Sequence, residues 1–399
     1  MASMTVATLD PQPGQVTGVV VGGVDTHKDL HVAAVVDGGA TVLGTESFST
    51  TRAGYRALLG WMRGFGDLRR VGVEGTGSYG AGLTRHLAEA DVEVLEVDRP
   101  DRTDRRRRGK SDTFDAICAA QAALAGRRTS IPKSRDGMVE SLRVLKLTRA
   151  TAIRARTKAL QLLRHHIVSA PEELRGQIRN LTRMQLIRTC AAWRPDTVGF
   201  RDPVVATRIS LKSLARRILE LNDEIANLDA LIEPLVRELA PQLIATSCIG
   251  IETAGQLLVT FGDNPARIRS EPAFAMLCGV APLPASSGMT QRHRLNRGGD
   301  RQANRALHMI VISRLRVDER TQAYAAKKTA EGHSKLEIIR CLKRLLAREV
   351  YYLLRPAGSG QAAGLSPELT PGRFLHPQLT RRSAGAGNIM PNAALTDQA

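Results

Sequence analysis

The amino-acid sequence predicts an α/β domain in the N-terminal part of the chain and a mainly helical C-terminal half. Three observations carry this prediction: an early series of strand-like segments, a long segment with coiled-coil periodicity, and helical patterns separated by loops rich in Gly and Pro. The chain has 399 residues, which at about 150 residues per domain allows two or three domains.

The strand-like segments begin near Val19. The runs GVVVGGVDTH, LHVAAVVDGG and TVLGTESF predict a meander of three strands. A helix over 51–65, a short strand in RRVGVEG, a helix over 80–90, a strand in VEVLEVD and an Ala-rich helix over 111–125 follow. The order βββαβαβα is typical of an RNase H-like sheet, because a Rossmann domain alternates strand and helix from its start.

Helical patterns dominate after residue 138. Residues 138–168 carry seven Lys and Arg side chains, a density that suits either a phosphate backbone or a solvated helix face. Between 211 and 239, nine apolar residues step alternately by three and four, as in a coiled coil. This seam favours pairing with a second copy of the chain, with folding back within the chain as the alternative. Pro234 should kink or end the helix near its last turn.

The segment LIATSCIGIETAGQLLVTFGD has a Gly-bearing turn between two helical patterns and resembles a helix-hairpin-helix element. Such an element offers backbone N–H groups to a DNA phosphate. An ordinary packing element is the alternative, because Cys248 stands where proline is common.

The composition indicates a polyanionic partner. Lys and Arg number 57 against 39 Asp and Glu, a net charge of +18, and counterion release makes nucleic acid the expected ligand. No apolar run approaches the roughly 20 residues that span a membrane, so no membrane partner is expected. The five cysteines are widely separated, have no C-x-x-C spacing and follow no secretory signal. They indicate reduced cytosolic thiols rather than zinc ligands or disulfides.

Four carboxylates are expected to meet at one edge of the predicted sheet. Asp25 and Glu74 end two strands that are neighbours in an RNase H-like sheet, and Asp112 and Asp115 share one helix face, about 5–6 Å apart at Cβ. Mg²⁺ suits such oxygen ligands, and paired ions about 3.5–4 Å apart stabilise phosphoryl transfer. Each acid alone has an ordinary explanation at a strand end or helix N-terminus, so the prediction depends on the set.

A basic run directly precedes the last two of these acids. It would hold a polyanionic backbone while the metal-bound acids act on one of its phosphates. Its members are Arg105, Arg106, Arg107, Arg108 and Lys110.

A second candidate site lies in GVAPLPASSGMTQRHRLNRGGDRQANRAL, residues 279–307, a loop followed by a helix whose expected N-cap is Asp300. Ser286 and Ser287 precede a set of arginines whose guanidinium groups would stabilise charge if a serine hydroxyl attacked a phosphate. The alternative is that Ser-Ser-Gly is an ordinary loop sequence. In that case the arginines would bind phosphate without taking part in a reaction. The cationic candidates are Arg292, Arg294, Arg297, Arg301 and Arg305.

Several of these segments together resemble the insertion sequence 110 family of bacterial transposases, also described as bridge-RNA-guided recombinases. The matching segments are GVDTHKD at 23–29, VEGTGSYG at 73–80, KSDTFDA at 110–116, and GVAPLPASSG with RGGDRQANRAL at 279–307. They stand in the family's order, and the resemblance covers about residues 18–355.

The resemblance implies a RuvC-like domain whose DEDD tetrad, Asp25, Glu74, Asp112 and Asp115, binds two Mg²⁺ ions. It also implies a C-terminal transposase domain with a nucleophilic serine directly before glycine. That position is Ser287, although the doublet leaves Ser286 open. The expected division is a disordered tail over 1–17, the RuvC-like domain over 18–165, a helical linker and coiled coil over 166–240, the transposase domain over 241–356 and a disordered tail over 357–399.

The resemblance further implies the partners. The family's proteins form dimers or tetramers, place the serine of one protomer at the metal site of another, and form a transient phosphoserine link to DNA. An element-encoded bridge RNA pairs with donor and target DNA, so that RNA pairing selects the sequence. The expected location is the bacterial cytoplasm, at the nucleoid.

Two other functions stay open from the residues alone. One is a metal-dependent nuclease of the Holliday-junction-resolvase type, which uses the carboxylates and water. The other is a non-catalytic basic scaffold for nucleic acid. Neither explains the loop over 279–307.

Overall fold

The computed structural model describes residues 18–98, 111–288 and 293–355, and the N-terminal strands form one sheet. The strands are β1 (Val19–Thr26), β2 (Leu30–Asp37), β3 (Val42–Ser49), β4 (Asp67–Glu74), β5 (Glu93–Val97) and β6 (Thr129–Ser130). Their order is β3-β2-β1-β4-β5-β6. The meander β1-β2-β3 is antiparallel, whereas β4 is parallel to both β1 and β5. The predicted RNase H-like order is confirmed, with the short β6 added antiparallel at the edge.

Helices cover both faces of this sheet. On one face, α1 (Arg52–Arg63) and α2 (Ala81–Glu89) pack Leu58 and Leu83 against Val24. On the other face, α3 (Asp112–Ala125) packs against Val21. Because both faces are buried, β1 is a continuous apolar run rather than an alternating one.

Two glycines bring α3 unusually close to the sheet. A Cβ atom at Gly23 would lie 2.1 Å from the backbone nitrogen of Ala120, and one at Gly72 would lie 2.5 Å from the carbonyl oxygen of Ala119. The helix therefore packs through its alanines directly on the backbone of β1 and β4. This contact fixes the first turn of α3 relative to the ends of those strands.

A long antiparallel helix pair, the helical stalk, consists of α4 (Met138–Val168) and α7 (Pro203–Leu239). Arg149 forms an ion pair with Asp229, and Arg156 Nη1 donates to Asn222 Oδ1 at 2.9 Å. At about 1.5 Å per residue, α4 is about 45 Å long. At its far end α5 (Glu172–Ile178) and α6 (Arg183–Ala192) pack on the two long helices.

The apolar seam of α7 is covered within the chain. Leu211, Ile218, Ile225 and Ile232 are buried, and α4 is the main partner of α7. Folding back within the chain, the alternative left open by the sequence, is therefore how this seam is used. Pairing of the coiled coil with a second copy stays a prediction, because the seam residues Leu221, Leu228 and Leu235 are only half-buried.

Pro234 does not end α7, which continues to Leu239. The side of the helix that carries Pro234 is exposed, so water can bond the carbonyl that the missing N–H leaves free. The break comes seven residues later, where Pro241 starts α8 (Pro241–Ala245). The helix thus ends at Leu239, five residues after Pro234 and in the region that the sequence predicted, and a kink at Pro234 stays a prediction.

The C-terminal part is mainly helical, as predicted. Its helices are α8, α9 (Ile251–Phe261), α10 (Glu271–Leu277), α11 (Arg301–Val317), α12 (Glu319–Ala330) and α13 (Lys335–Leu354), with a 3₁₀ turn over Pro265–Arg267. They share a core with the base of the stalk, in which Phe274 and Leu307 pack with Leu142 and Val236. A short hairpin of β7 (Leu283–Pro284) and β8 (His293–Arg294) precedes α11. None of the helices in the described ranges is long and apolar enough to cross a membrane.

The predicted helix-hairpin-helix segment contains α8, a turn and α9. The helix before the turn has only five residues, and Cys248 adopts a left-handed backbone with φ of +64°. The turn geometry therefore depends on a strained non-glycine residue. A DNA-binding hairpin at this place stays a prediction.

The linker between sheet and stalk is fastened to the C-terminal helices. Asp263 accepts hydrogen bonds from the backbone N–H groups of Val139 and Glu140, and so caps α4. Asn264 accepts from the Ser134 N–H, and Lys133 Nζ donates to the Val259 carbonyl at 2.5 Å. The first turn of the stalk is thus anchored to the C-terminal domain.

Candidate active site

Two of the four predicted acids lie side by side at one edge of the sheet. Asp25 is the penultimate residue of β1 and is 6% exposed. Because β1 and β4 are parallel, with Val24 opposite Val73, Glu74 leaves the sheet at the same edge as Asp25. The hydroxyl of Thr26 donates to the Glu74 carbonyl oxygen at 2.7 Å, which ties the two strand ends together.

The other two acids reach this edge from the first turn of α3. Asp115 is 4% exposed, and Asp112 is more accessible. The close packing of α3 on Gly23 and Gly72 brings this turn to the strand ends. The predicted convergence of Asp25, Glu74, Asp112 and Asp115 is therefore what the fold produces.

The electrostatics of Asp25 reflect this crowding. Burial raises the pKa of Asp25, and the negative charges of Glu74, Asp115 and Asp112 raise it further, whereas His27 lowers it. A buried carboxylate surrounded by like charges is unfavourable in the ionised form unless a cation adjoins it. A bound divalent cation would relieve that repulsion.

His27 is a member of the site that the sequence analysis missed. Its Nε2 lies 3.1 Å from Asp25 Oδ2 and 3.5 Å from Asp112 Oδ2. Three residues, Asp25, His27 and Asp112, each offer one ligand atom. These three atoms lie within 4.8 Å of one another, a spacing that suits a metal ion. The signal was present in the motif GVDTHKD, as a histidine two residues after an aspartate near the end of a strand.

The loop after Glu74 is contacted by a second missed residue, Arg135 of the linker before the stalk. Gly75 has a φ of +70°, and its carbonyl accepts hydrogen bonds from the N–H groups of Ser78 and Gly80. The guanidinium of Arg135 packs on Gly77, where a Cβ atom would lie 2.3 Å from Nη2. Arg135 thus contacts the loop beside the carboxylates from the linker side.

The two candidate serines lie on the β7–β8 hairpin. Ser286 and Ser287 are both exposed, and Gly288 follows them with a φ of +55°. Among the described residues, neither serine hydroxyl makes a hydrogen bond. No described hydrogen bond joins either serine to the carboxylates.

The base of this hairpin is fixed by the motif RGGDRQANRAL. Asn304 Nδ2 donates to the carbonyl oxygens of Cys278 and Gly279, both at 3.0 Å, and Asn304 Oδ1 accepts a hydrogen bond from Lys343 Nζ at 2.9 Å. Asp300 caps α11 and accepts from the Thr260 hydroxyl at 2.7 Å. The predicted N-cap is confirmed, and these polar residues hold the base of the hairpin that contains the serines.

The predicted cationic residues are only partly described. Arg294, Arg297, Arg301 and Arg305 are exposed, and none has an ion-pair partner in the part of the chain that the structure describes. The remaining candidates and both predicted tails lie outside the described residues. These candidates are Arg105, Arg106, Arg107, Arg108, Lys110 and Arg292.

Comparison with known proteins agrees with this architecture. A family model for a DEDD transposase domain, described as "Transposase", matches residues 22–170, and a model described as "Transposase IS116/IS110/IS902 family" matches residues 241–326. The "Insertion element IS900 uncharacterized 42 kDa protein" of Mycobacterium paratuberculosis is 24% identical over 382 residues, covering 84% of this chain and 95% of the relative. The "Insertion element IS110 uncharacterized 43.6 kDa protein" of Streptomyces coelicolor is 29% identical over 160 residues, covering 40% of this chain and 38% of that protein.

The RNase H-like sheet with four acids at one edge, together with the two matching transposase models, places the chain in the class of DEDD transposases. Such a domain indicates a divalent metal ion, and the oxygen-rich donor set with one imidazole fits one. The chain belongs to the IS110 family of insertion-element transposases.

Proposed function

We propose that this transposase cuts and rejoins DNA strands by Mg²⁺-dependent phosphoryl transfer through a serine–DNA intermediate. The observation that carries the proposal is the meeting of Asp25, Glu74, Asp112 and Asp115 at one edge of the sheet, with Asp25 buried among like charges. The ionised form of Asp25 is unfavourable in this cluster unless a cation lies beside it. Such a cluster suits metal-dependent chemistry better than a purely structural role.

The carboxylates and His27 would hold the metal. Asp25, Asp112 and His27 each offer a ligand atom, and Glu74 and Asp115 adjoin them. Two Mg²⁺ ions bound there would polarise the phosphate and stabilise the attacking and leaving oxygens. The protein's own part is to hold these ligands in place through the contact of α3 with β1 and β4.

Ser287 is the proposed nucleophile. Its Oγ attacks the phosphorus of a backbone phosphodiester, the bond to the leaving sugar oxygen breaks, and that oxygen takes up a proton. A sugar hydroxyl of another strand then attacks the phosphoserine ester and releases the serine. Because the ester conserves the bond energy, the strands rejoin without ATP. The exposed arginines that follow the serine, Arg294 and Arg297, would hold the phosphate.

The serine is proposed to act on the carboxylate site of another protomer. The hairpin is exposed, and no described hydrogen bond joins it to the carboxylates of its own chain. This supports delivery of the serine to the carboxylate site of another protomer. Such delivery requires a dimer or tetramer. The family resemblance supports a bridge RNA that pairs with donor and target DNA.

The test is to trap the covalent adduct. Full-length protein, Mg²⁺, DNA with the element's ends and the flanking transcript should give a protein–DNA adduct whose DNA is attached at Ser287 by mass spectrometry. Ser287→Ala should abolish the adduct, and Ser286→Ala should retain it. Cleavage without any adduct would mean that water is the nucleophile, and attachment at Ser286 would move the assignment by one residue.

Delivery in trans has its own test. Mixing Ser287→Ala chains with Asp115→Asn chains should restore part of the recombination that each variant lacks, because a mixed oligomer contains a composite site with both intact parts. Mixed oligomers that stay inactive would contradict the trans arrangement and leave the carboxylate site untouched.

A further inference from the structure

The stalk is divided into an acidic base and a basic far end. Residues 154–217 comprise the outer part of α4, the helices α5 and α6, and the first part of α7. They contain 14 Lys and Arg against four Asp and Glu, a net charge of +10 out of +18 for the chain. Residues 218–239 of α7 carry one Arg against six acids. We call residues 154–217 the stalk head.

The cations at the stalk base are neutralised within the chain. Arg143 pairs with Glu140, Lys146 Nζ lies 2.8 Å from Glu252 Oε1, and Arg149 pairs with Asp229. The basic pattern of 138–168 thus has two roles. Its first members build the stalk, and its later members project from it.

The cations of the stalk head are mostly without such partners. Eleven of the 14 are exposed. Arg175 and Arg179 share Glu172 at 3.8 and 3.9 Å, long contacts that contribute little at a surface. Arg183 and Arg188, within the described ranges, have no carboxylate partner. So many like charges on one small helical unit repel one another and favour a polyanionic partner.

The composition of the head suits unpaired nucleotides better than a duplex. Of its 14 cations 12 are arginines, whose planar guanidinium groups both bind phosphate and stack on bases. The Phe200 side chain is 56% exposed, with the Arg201 guanidinium 5.0 Å from its ring centroid. Arg208 lies 6.0 Å from the ring of the half-buried Trp193. Arginine interleaved with aromatic rings is typical of surfaces that stack single-stranded bases.

We propose that the stalk head is an RNA-binding surface that holds an unpaired segment of RNA through phosphate contacts and base stacking. The inference rests on the proposed function in one respect, because it gives the RNA partner a place on the molecule. It separates that partner from the chemistry: RNA is held at the far end of the stalk, and DNA is cut at the carboxylates.

The test compares binding by the full chain of three probes: an RNA hairpin with an unpaired loop, the same hairpin as DNA, and duplex DNA of equal length. The head variant is Arg183→Glu/Arg188→Glu/Arg194→Glu, in exposed positions. Its affinity for the RNA hairpin should fall at least about 30-fold. The slope of log affinity against log salt should fall by about two, since three phosphate contacts are lost.

The matched control is Arg56→Glu/Arg63→Glu/Arg85→Glu, which changes the charge equally at exposed positions on α1 and α2. It should keep RNA affinity within about three-fold, because no localised RNA contact is lost there. A loss equal to that of the head variant would overturn the assignment, since net charge alone would then explain binding. Phe200→Ala should lower RNA affinity about ten-fold without changing the salt slope.

The other outcomes separate this inference from the proposed function. If the head variant loses duplex DNA rather than RNA, the head binds DNA and the RNA assignment is wrong. If the wild-type chain binds no RNA hairpin, RNA guidance in the proposed function also fails. If wild type, Asp115→Asn and the head variant all bind the RNA hairpin with equal affinity, the chain binds RNA elsewhere. Only the location on the stalk head is then wrong.

Discussion

The carboxylate site and the serine hairpin are held in opposite ways. Asp25 and Asp115 are almost fully buried at the junction of two strands and a helix that touch backbone to backbone. Ser286 and Ser287 are exposed in a hairpin whose base is held by Asn304 and Asp300. A preformed acid site and an exposed nucleophile suit a reaction in which one part is brought to the other.

The largest expected effect comes from removing one acid. Asp25→Asn or Asp115→Asn should lower DNA cleavage by about 10³-fold or more, because metal-assisted charge stabilisation contributes several kcal/mol. DNA binding should change little, because the cations supply it. Cleavage and binding are measured on the same end-labelled DNA.

The matched control for this prediction is Asp29→Asn, an exposed acid four residues after Asp25. It should cleave at the wild-type rate. Full cleavage by Asp25→Asn would remove Asp25 from the site, and equal loss in Asp29→Asn would mean that general charge, not the cluster, matters.

The second prediction concerns the contact that makes the site rigid. Gly23→Ala places a methyl group 2.1 Å from the Ala120 nitrogen, so α3 must move away from β1. We expect a loss of about 2–3 kcal/mol in the free energy of unfolding, as for overpacked cores, and a fall of at least about 100-fold in cleavage. Both are measured on the purified variant, by denaturant unfolding and by DNA nicking.

Gly60→Ala is the control for that substitution. Its new methyl group meets nothing within 4 Å on the exposed side of α1. Alanine is favoured over glycine in a helix by about 1 kcal/mol, so this variant should be slightly more stable and fully active. A harmless Gly23→Ala would show that the acids do not depend on this close packing.

The third prediction loosens the hairpin without touching the acids. Asn304→Ala removes two hydrogen bonds to the backbone of Cys278 and Gly279 and leaves Lys343 without its partner. Serine–DNA adduct formation should fall about ten-fold, since positioning is lost but the nucleophile remains. Mg²⁺ binding should be unchanged. The exposed neighbour Gln302→Ala should behave as wild type, and a loss of metal binding in Asn304→Ala would contradict the separation of the two regions.

The smallest expected effect is thermal. Burial raises the pKa of Asp25 in the folded state above its ordinary value in the unfolded chain. The metal-free protein therefore loses stability as the pH rises through the window between these two pKa values. Below that window Asp25 is protonated in both states and the loss disappears. At neutral pH without metal, Asp25→Asn should therefore raise the melting temperature by about 1–3 °C.

Mg²⁺ should reverse this order, because it stabilises wild type and not Asp25→Asn. Scanning calorimetry with and without Mg²⁺ checks both signs. A variant that is less stable than wild type without metal would show that the repulsion at Asp25 is already compensated within the chain.

Local patterns in the sequence were sufficient for the elements and for the acids. The helix over 138–168 was predicted with the limits that it has, and the strand order followed from the alternation of strands and helices. The four acids could be predicted because strand ends and helix turns meet at one edge in this topology. His27 and Arg135 were missed, since a histidine or arginine in a loop has no periodicity that marks what it touches.

Sequence alone determined the class of sheet, the helical periodicity, the excess of positive charge and the identity of the candidate acids and serines. Only the tertiary structure decided that α7 packs on α4 within the chain. A heptad pattern predicts that one side of a helix is apolar, but it does not predict which helix packs against that side. The tertiary structure also decided that Asp263 and Asn264 anchor the stalk, and that the two serines are exposed. These depend on contacts between segments far apart in the chain, which local pattern does not encode.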